Sequence, residues 1–175
     1  MNEVDKFGLR TIDAIDQLAK ANRYEQALIV LYSAIDTLAW VSIKSGDVTR
    51  EIFCKWVDKY INPEKLIHCT AKDLYSARCA IVHSSTAESR MSREGQAREI
   101  WYVTDATKAE RLQEYARTNG SKAHVMPFTW LLFAFTEGAM NFSADLTKDA
   151  EFENRCVERM KYWLRFVKIH IESED

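Results

Sequence analysis

Residues 23–44, RYEQALIVLYSAIDTLAWVSIK, constrain the fold more than any other stretch. They are apolar on nearly every side at helical spacing, and a helix of that kind has to be surrounded by other elements. The run is no membrane span, because Ser33, Asp36 and Thr37 interrupt it. Those three stand at i, i+3 and i+4 and therefore share one face. A carboxylate inside a bundle must be paired or hydrogen-bonded, since isolated burial is costly or forces neutralisation. A cation is expected opposite Asp36. Arg78 is the natural partner, being the sole Lys or Arg within 73–89.

The rest of the chain supplies helices to surround that one. Only 5 Gly and 2 Pro punctuate it, which favours long helices over many turns. Residues 3–20 place Val4, Phe7, Leu9, Ile12, Ile15 and Leu18 on an amphipathic helix. The central helix stops near Ser45-Gly46. Thr49 caps a third helix carrying Ile52, Phe53, Trp56, Val57 and Tyr60, which Asn62-Pro63 ends. Thr70 or Ala71 opens a fourth helix running through Val82. Residues 84–98 read as a polar, basic loop. EIWYVT (99–104) and AHVMPF (123–128) read as short strands flanking a helix near 107–118 that ends at Asn119-Gly120. Helices over about 128–143 and 149–171 close the chain, the last carrying Phe152, Cys156, Met160, Trp163, Val167 and Ile171. The expected class is all-α: one domain over 1–175, an up-and-down helical bundle, with an insertion at about 86–127 that holds a small α/β excursion around 99–127.

With 47% apolar residues the chain can bury a core. Its 24 basic and 26 acidic residues nearly cancel, giving −2. That excludes a protein defined by a basic surface, though not a small local phosphate site. MNEVDKFGLRTIDAIDQ lacks the apolar run of a signal peptide, so a cytoplasmic location without membrane contact is expected. Cys54, Cys69, Cys79 and Cys156 then read as free thiols, and none forms a C-x-x-C pair.

The chemistry concentrates in ARCAIVHSS, residues 77–85, where Arg78 and His83 stand five positions apart among small and apolar residues. Twelve Arg and four His placed at random give roughly 0.3 such pairs, so the spacing takes its meaning from context. That context is LYSARCAIVHSS following the acid-bearing apolar helix LYSAIDTLAW. Together they resemble the HEPN family of all-α domains, whose hallmark is an Arg-x4-His motif late in a helix of a small bundle. The resemblance covers roughly residues 3–85 and the closing helices. It implies a metal-independent endoribonuclease, without cofactor, acting as a homodimer in a toxin, phage-defence or RNA-processing role. An antitoxin or regulatory protein is a possible partner.

Arg78 and His83 match the motif's two named positions, and Asp36 matches a polar position on the preceding long helix. Ser33 and Cys79 are supporting candidates; Cys79 stands where the family frequently has Asn, Asp or His. Guanidinium stays ionised and grips phosphate oxygens through paired bonds, while imidazole exchanges protons near neutrality. RNA brings its own nucleophile, the 2′-hydroxyl, so cleavage leaves a 2′,3′-cyclic phosphate. Arg90, Arg93 and Arg98 follow the motif, interleaved with Glu88 and Glu94, and are candidate RNA-backbone contacts. Two alternatives stay open. One is a metal site from Cys79 and His83 with Cys54, His68 and Cys69. The other is a non-catalytic HEPN-like domain that dimerises or binds a partner.

Overall fold

A computed structural model describes residues 1–84, 86 and 88–163. The elements run α1 (Glu3–Lys20), α2 (Tyr24–Ser42), α3 (Arg50–Tyr60), α4 (Pro63–Leu66), α5 (Ala71–Ser84), α6 (Arg90–Arg93), β1 (Ile100–Val103), α7 (Ala109–Thr118), β2 (His124–Pro127), α8 (Phe128–Leu146) and α9 (Ala150–Met160). Helices dominate the described residues, consistent with an all-α class, and two short strands are the exception among them.

The apolar helix lies where its composition demands. α2 packs against α1, α3, α5, α8 and α9, and its Leu31, Tyr32, Ile35, Leu38 and Val41 are inaccessible to solvent. Of its neighbours, α1, α3 and α9 are amphipathic and turn one stripe inward, such as Val4, Phe7 and Ile15 of α1. Local chemistry sets the ends. Asn2 and Asp5 exchange bonds across the first turn of α1, Thr49 accepts from the Ile52 amide, and Thr70 and Asp73 cap α5 reciprocally.

β1 and β2 pair in parallel, Ile100 opposite His124 through Val103 opposite Pro127, with α7 as the crossover. A parallel pair needs such a connection. The excursion is not an appendage: Ile100 and Met126 belong to the same buried cluster as Leu31 and Leu74. The Tyr102 hydroxyl shares a 2.5 Å hydrogen bond with that of Tyr32 on α2. Tyr102 is thus one of the two strand aromatics taken up by the core, while Trp101 donates Nε1–H to Glu99.

Two expectations are corrected. The stretch 84–98 is not all loop, because Ser89 caps the single turn α6 and its hydroxyl bonds that of buried Ser76 at 2.6 Å. The last helix is shorter than 149–171: α9 ends at Met160, and the Lys161, Tyr162 and Trp163 amides bond carbonyls three residues back, a tighter winding that closes the helix. Val167 and Ile171 lie outside the described residues.

α8 crosses the end of α3 at Gly138, where a Cβ would sit 2.7 Å from Ile61 Cγ1 and 3.4 Å from the Tyr60 carbonyl carbon. Ile61 is fully buried and has little room to give. Gly138→Ala should therefore lower stability by about 1–2 kcal/mol, the overpacking cost less the helix-propensity gain. A thermal melt checks this; an unchanged or raised Tm would show that the crossing can relax.

Candidate functional site

Asp36 projects from the middle of α2 towards α5, and Arg78 meets it. The Arg78 Nε–H donates to Asp36 Oδ2 at 2.6 Å, and both side chains are about one-fifth exposed (20% and 19%). The cation expected from the sequence is therefore in place. The same guanidinium reaches His83: Nη1 lies 3.0 Å from His83 Nε2. Five residues along a helix turn the side chains about 140° apart, so only a long, bent stem brings the two heads together. Guanidinium can only donate. His83 Nε2 is hence the acceptor, and the ring proton sits on Nδ1.

Arg78 is thus clamped at two of its three nitrogens, leaving Nη2 without a bond to any described residue. Tyr75, one turn earlier, lies under the guanidinium at 6.0 Å, and Cys79 Sγ stands 3.9 Å from Nη1, a long and weak contact. Ser33 is exposed and offers its carbonyl to the Thr37 hydroxyl at 3.0 Å, so it sits on the shared face but one turn away from the ion pair.

Burial pulls the Arg78 guanidinium down, but the bond and charge of Asp36 outweigh it and raise its pKa. Burial also lifts the Asp36 carboxyl above its ordinary value of 3.8, against the opposing bond and charge of Arg78. The two directions pull apart: Asp36 strengthens the charged guanidinium, while burial favours the neutral carboxyl. The carboxyl is weakened as an acid because Oδ1 is buried without a hydrogen-bond partner among the described residues.

Two clefts flank this turn of α5. One, about 350 Å³, is lined by Asp36, Trp40, Asp47, Arg78 and Trp163. The other, about 640 Å³, is lined by Thr49, Arg50, Tyr75, Cys79 and Arg90. The chain from 47 to 50 borders both. Arg50 gave no sequence signal, because its link to the motif is made only when α3 packs beside α5.

The three loop arginines separate. Arg90 and Arg93 are exposed (81% and 56%) and pair loosely with Glu94 at 3.3 Å and Glu88 at 3.7 Å. Arg98 is drawn inward instead. Its amide, Nε and Nη2 all donate to buried Asp73, at 2.6, 3.0 and 2.9 Å, and Nη2 also reaches the His68 carbonyl at 3.0 Å. Arg98 ties the end of the loop to the start of α5. The rival ligand set does not converge: among the described residues no group of three or more His, Cys, Asp or Glu is placed to hold a metal.

No family model, no curated protein and no solved structure matches this chain. The functional reading therefore rests on the Asp36–Arg78–His83 chain and its two clefts. No helix among the described residues is long and apolar enough to cross a membrane.

Proposed function

We propose that the chain is a metal-independent endoribonuclease of the HEPN type, working as a homodimer. The observation that carries the reading is the bonded series Asp36–Arg78–His83, whose Asp36 and Arg78 line one cleft while the neighbouring Tyr75 and Cys79 of the same helix line a second. Asp36 fixes the guanidinium plane from behind. Arg78 Nη2 receives a phosphate oxygen, and an approaching phosphate competes with His83 for Nη1. His83 Nε2, released from that bond, takes a proton from the 2′-hydroxyl. As the phosphorane forms, the guanidinium carries charge that develops only in the transition state. The 5′-oxygen leaves with a proton from the second copy's His83, present as the imidazolium, since one His cannot serve as base and acid in one step. A two-fold axis near the end of α5 would supply that pair. Arg50 and Arg90 border the larger cleft and suit the flanking phosphates.

A second reading, a binding module without catalysis, is favoured by one feature. Trp130, Phe133 and Met140 are 45%, 57% and 61% exposed along α8, an apolar surface fit for another protein or a second copy.

The deciding assay is RNA cleavage in EDTA by wild type, Arg78→Ala and His83→Ala. The expected result is a cyclic-phosphate product and a loss of at least about a hundredfold in each variant. Activity equal to wild type in both variants overturns the enzyme reading.

A further inference from the structure

The smaller cleft beside Arg78 has a chemistry of its own. Two tryptophans, Trp40 and Trp163, line it together with Asp36, Thr37, Asp47 and Arg78. Trp163 is 40% exposed and meets Phe7 edge-on at 5.1 Å, which leaves part of the indole facing outward. Apart from Arg78 and the indole N–H groups, the polar lining only accepts. Thr37 spends its hydroxyl proton on the Ser33 carbonyl. Asp36 spends Oδ2 on Arg78 and its Oδ1 is buried, which leaves the exposed Asp47 as the carboxylate open to the cleft.

The lining is also built. Arg159 of α9 lies over the Trp40 ring at 4.3 Å and donates Nε–H to the Trp40 carbonyl at 2.9 Å. Its Nη1 and Nη2 reach the carbonyls of Lys44 and Gly46 at 3.4 and 3.1 Å. Gly46 adopts a left-handed φ of 82°, open to glycine without strain. One guanidinium thus holds the end of α2 and the turn that presents Asp47.

We infer that this cleft is a base subsite selective for guanine, holding the base of the nucleotide whose phosphate Arg78 grips. About 350 Å³ suffices for one nucleoside. Tryptophan stacks on any base and gives affinity without choice. Choice comes from the acceptors: guanine alone presents two adjacent donors, N1–H and the N2 amino group, which a carboxylate receives in parallel. Uracil offers one donor and two carbonyls, and the carbonyls would face carboxylate oxygens. The inference rests on the reading of Arg78 as a phosphate-holding group.

The test uses mononucleotides, which cannot be cleaved, so it is independent of ribonuclease activity. Tryptophan fluorescence of the full chain is titrated with GMP, AMP, CMP and UMP. GMP should bind about tenfold or more tighter than UMP. Asp47→Asn should remove that preference by weakening GMP while leaving UMP within about twofold. Trp163→Ala should weaken all four alike. Equal binding of the four nucleotides, no binding of any, or a preference that survives Asp47→Asn overturns the inference. RNA cleavage without base preference would do the same and leave the ribonuclease reading standing. A GMP preference in a protein that cleaves no RNA would keep the subsite and remove the enzyme.

Discussion

Arg78→Lys should keep the fold and lose RNA cleavage by at least about a hundredfold. Lysine preserves the charge and can still pair with Asp36, so the partly buried carboxylate is not stranded and Tm should move by no more than about 4 °C. What lysine cannot reproduce is the fork. Nε and Nη1 bond Asp36 and His83 at the same time, 2.6 and 3.0 Å away, and Nη2 remains for substrate. A single ammonium is a point charge and cannot occupy those positions together. On the proposed ribonuclease reading the loss should fall on kcat more than on KM, because Arg50 and Arg90 of the neighbouring cleft would still gather the RNA backbone. Steady-state cleavage alongside a thermal melt separates the cases. Near-wild-type activity in the lysine variant would mean that charge alone suffices and the fork geometry is incidental. Alanine behaves differently in the melt, since it leaves the largely buried Asp36, one-fifth exposed, without its cation.

The half of the site that follows from local rules was legible in the sequence. Asp36 in an apolar helix demanded a cation, and only Arg78 stood within reach of that demand. The Asp36–Arg78 bond is that reasoning made visible. Helix starts were legible too, because Thr49 and Thr70 announce themselves by side-chain chemistry acting over three residues. What depended on packing was not. Arg98 reads as the third of three loop arginines, yet it folds back across 25 residues onto Asp73, and no local pattern distinguishes it from Arg90 or Arg93. Arg159 carries a similar hidden role: its three carbonyl partners lie more than a hundred residues away. The end of α9 was misplaced because the apolar spacing continues through Trp163, Val167 and Ile171, and periodicity alone does not show where a helix tightens and stops.

Asp73→Asn should cost about 3 kcal/mol at neutral pH, the lower end of the range for breaking a buried pair, because Arg98 keeps 39% of its surface in water. Asp73 is only 3% exposed and collects four donors: the Thr70 amide and three groups of Arg98. Burial pushes its carboxyl up, but the main-chain bonds from Thr70 and Arg98, then the Arg98 side chain, outweigh burial and leave the pKa below the ordinary 3.8. A depressed folded-state pKa means that the ionised form is the one folding favours. The contribution is therefore complete above 3.8 and drains away as the pH falls through the lower, folded-state value. Asp36 acts with the opposite sign, since its raised pKa gives stability below 3.8 that is lost as the pH climbs through its folded-state value. Comparing wild type with Asp73→Asn cancels Asp36 and every other acid common to both chains. The gap in urea-unfolding free energy should hold steady between about pH 6 and 7 and close as the pH drops below 3.8, where protonation gives wild type the same neutral side chain in effect. A gap that persists undiminished down to about pH 3 would show that Asp73 holds the 98 loop by shape and neutral hydrogen bonds, with its charge contributing nothing.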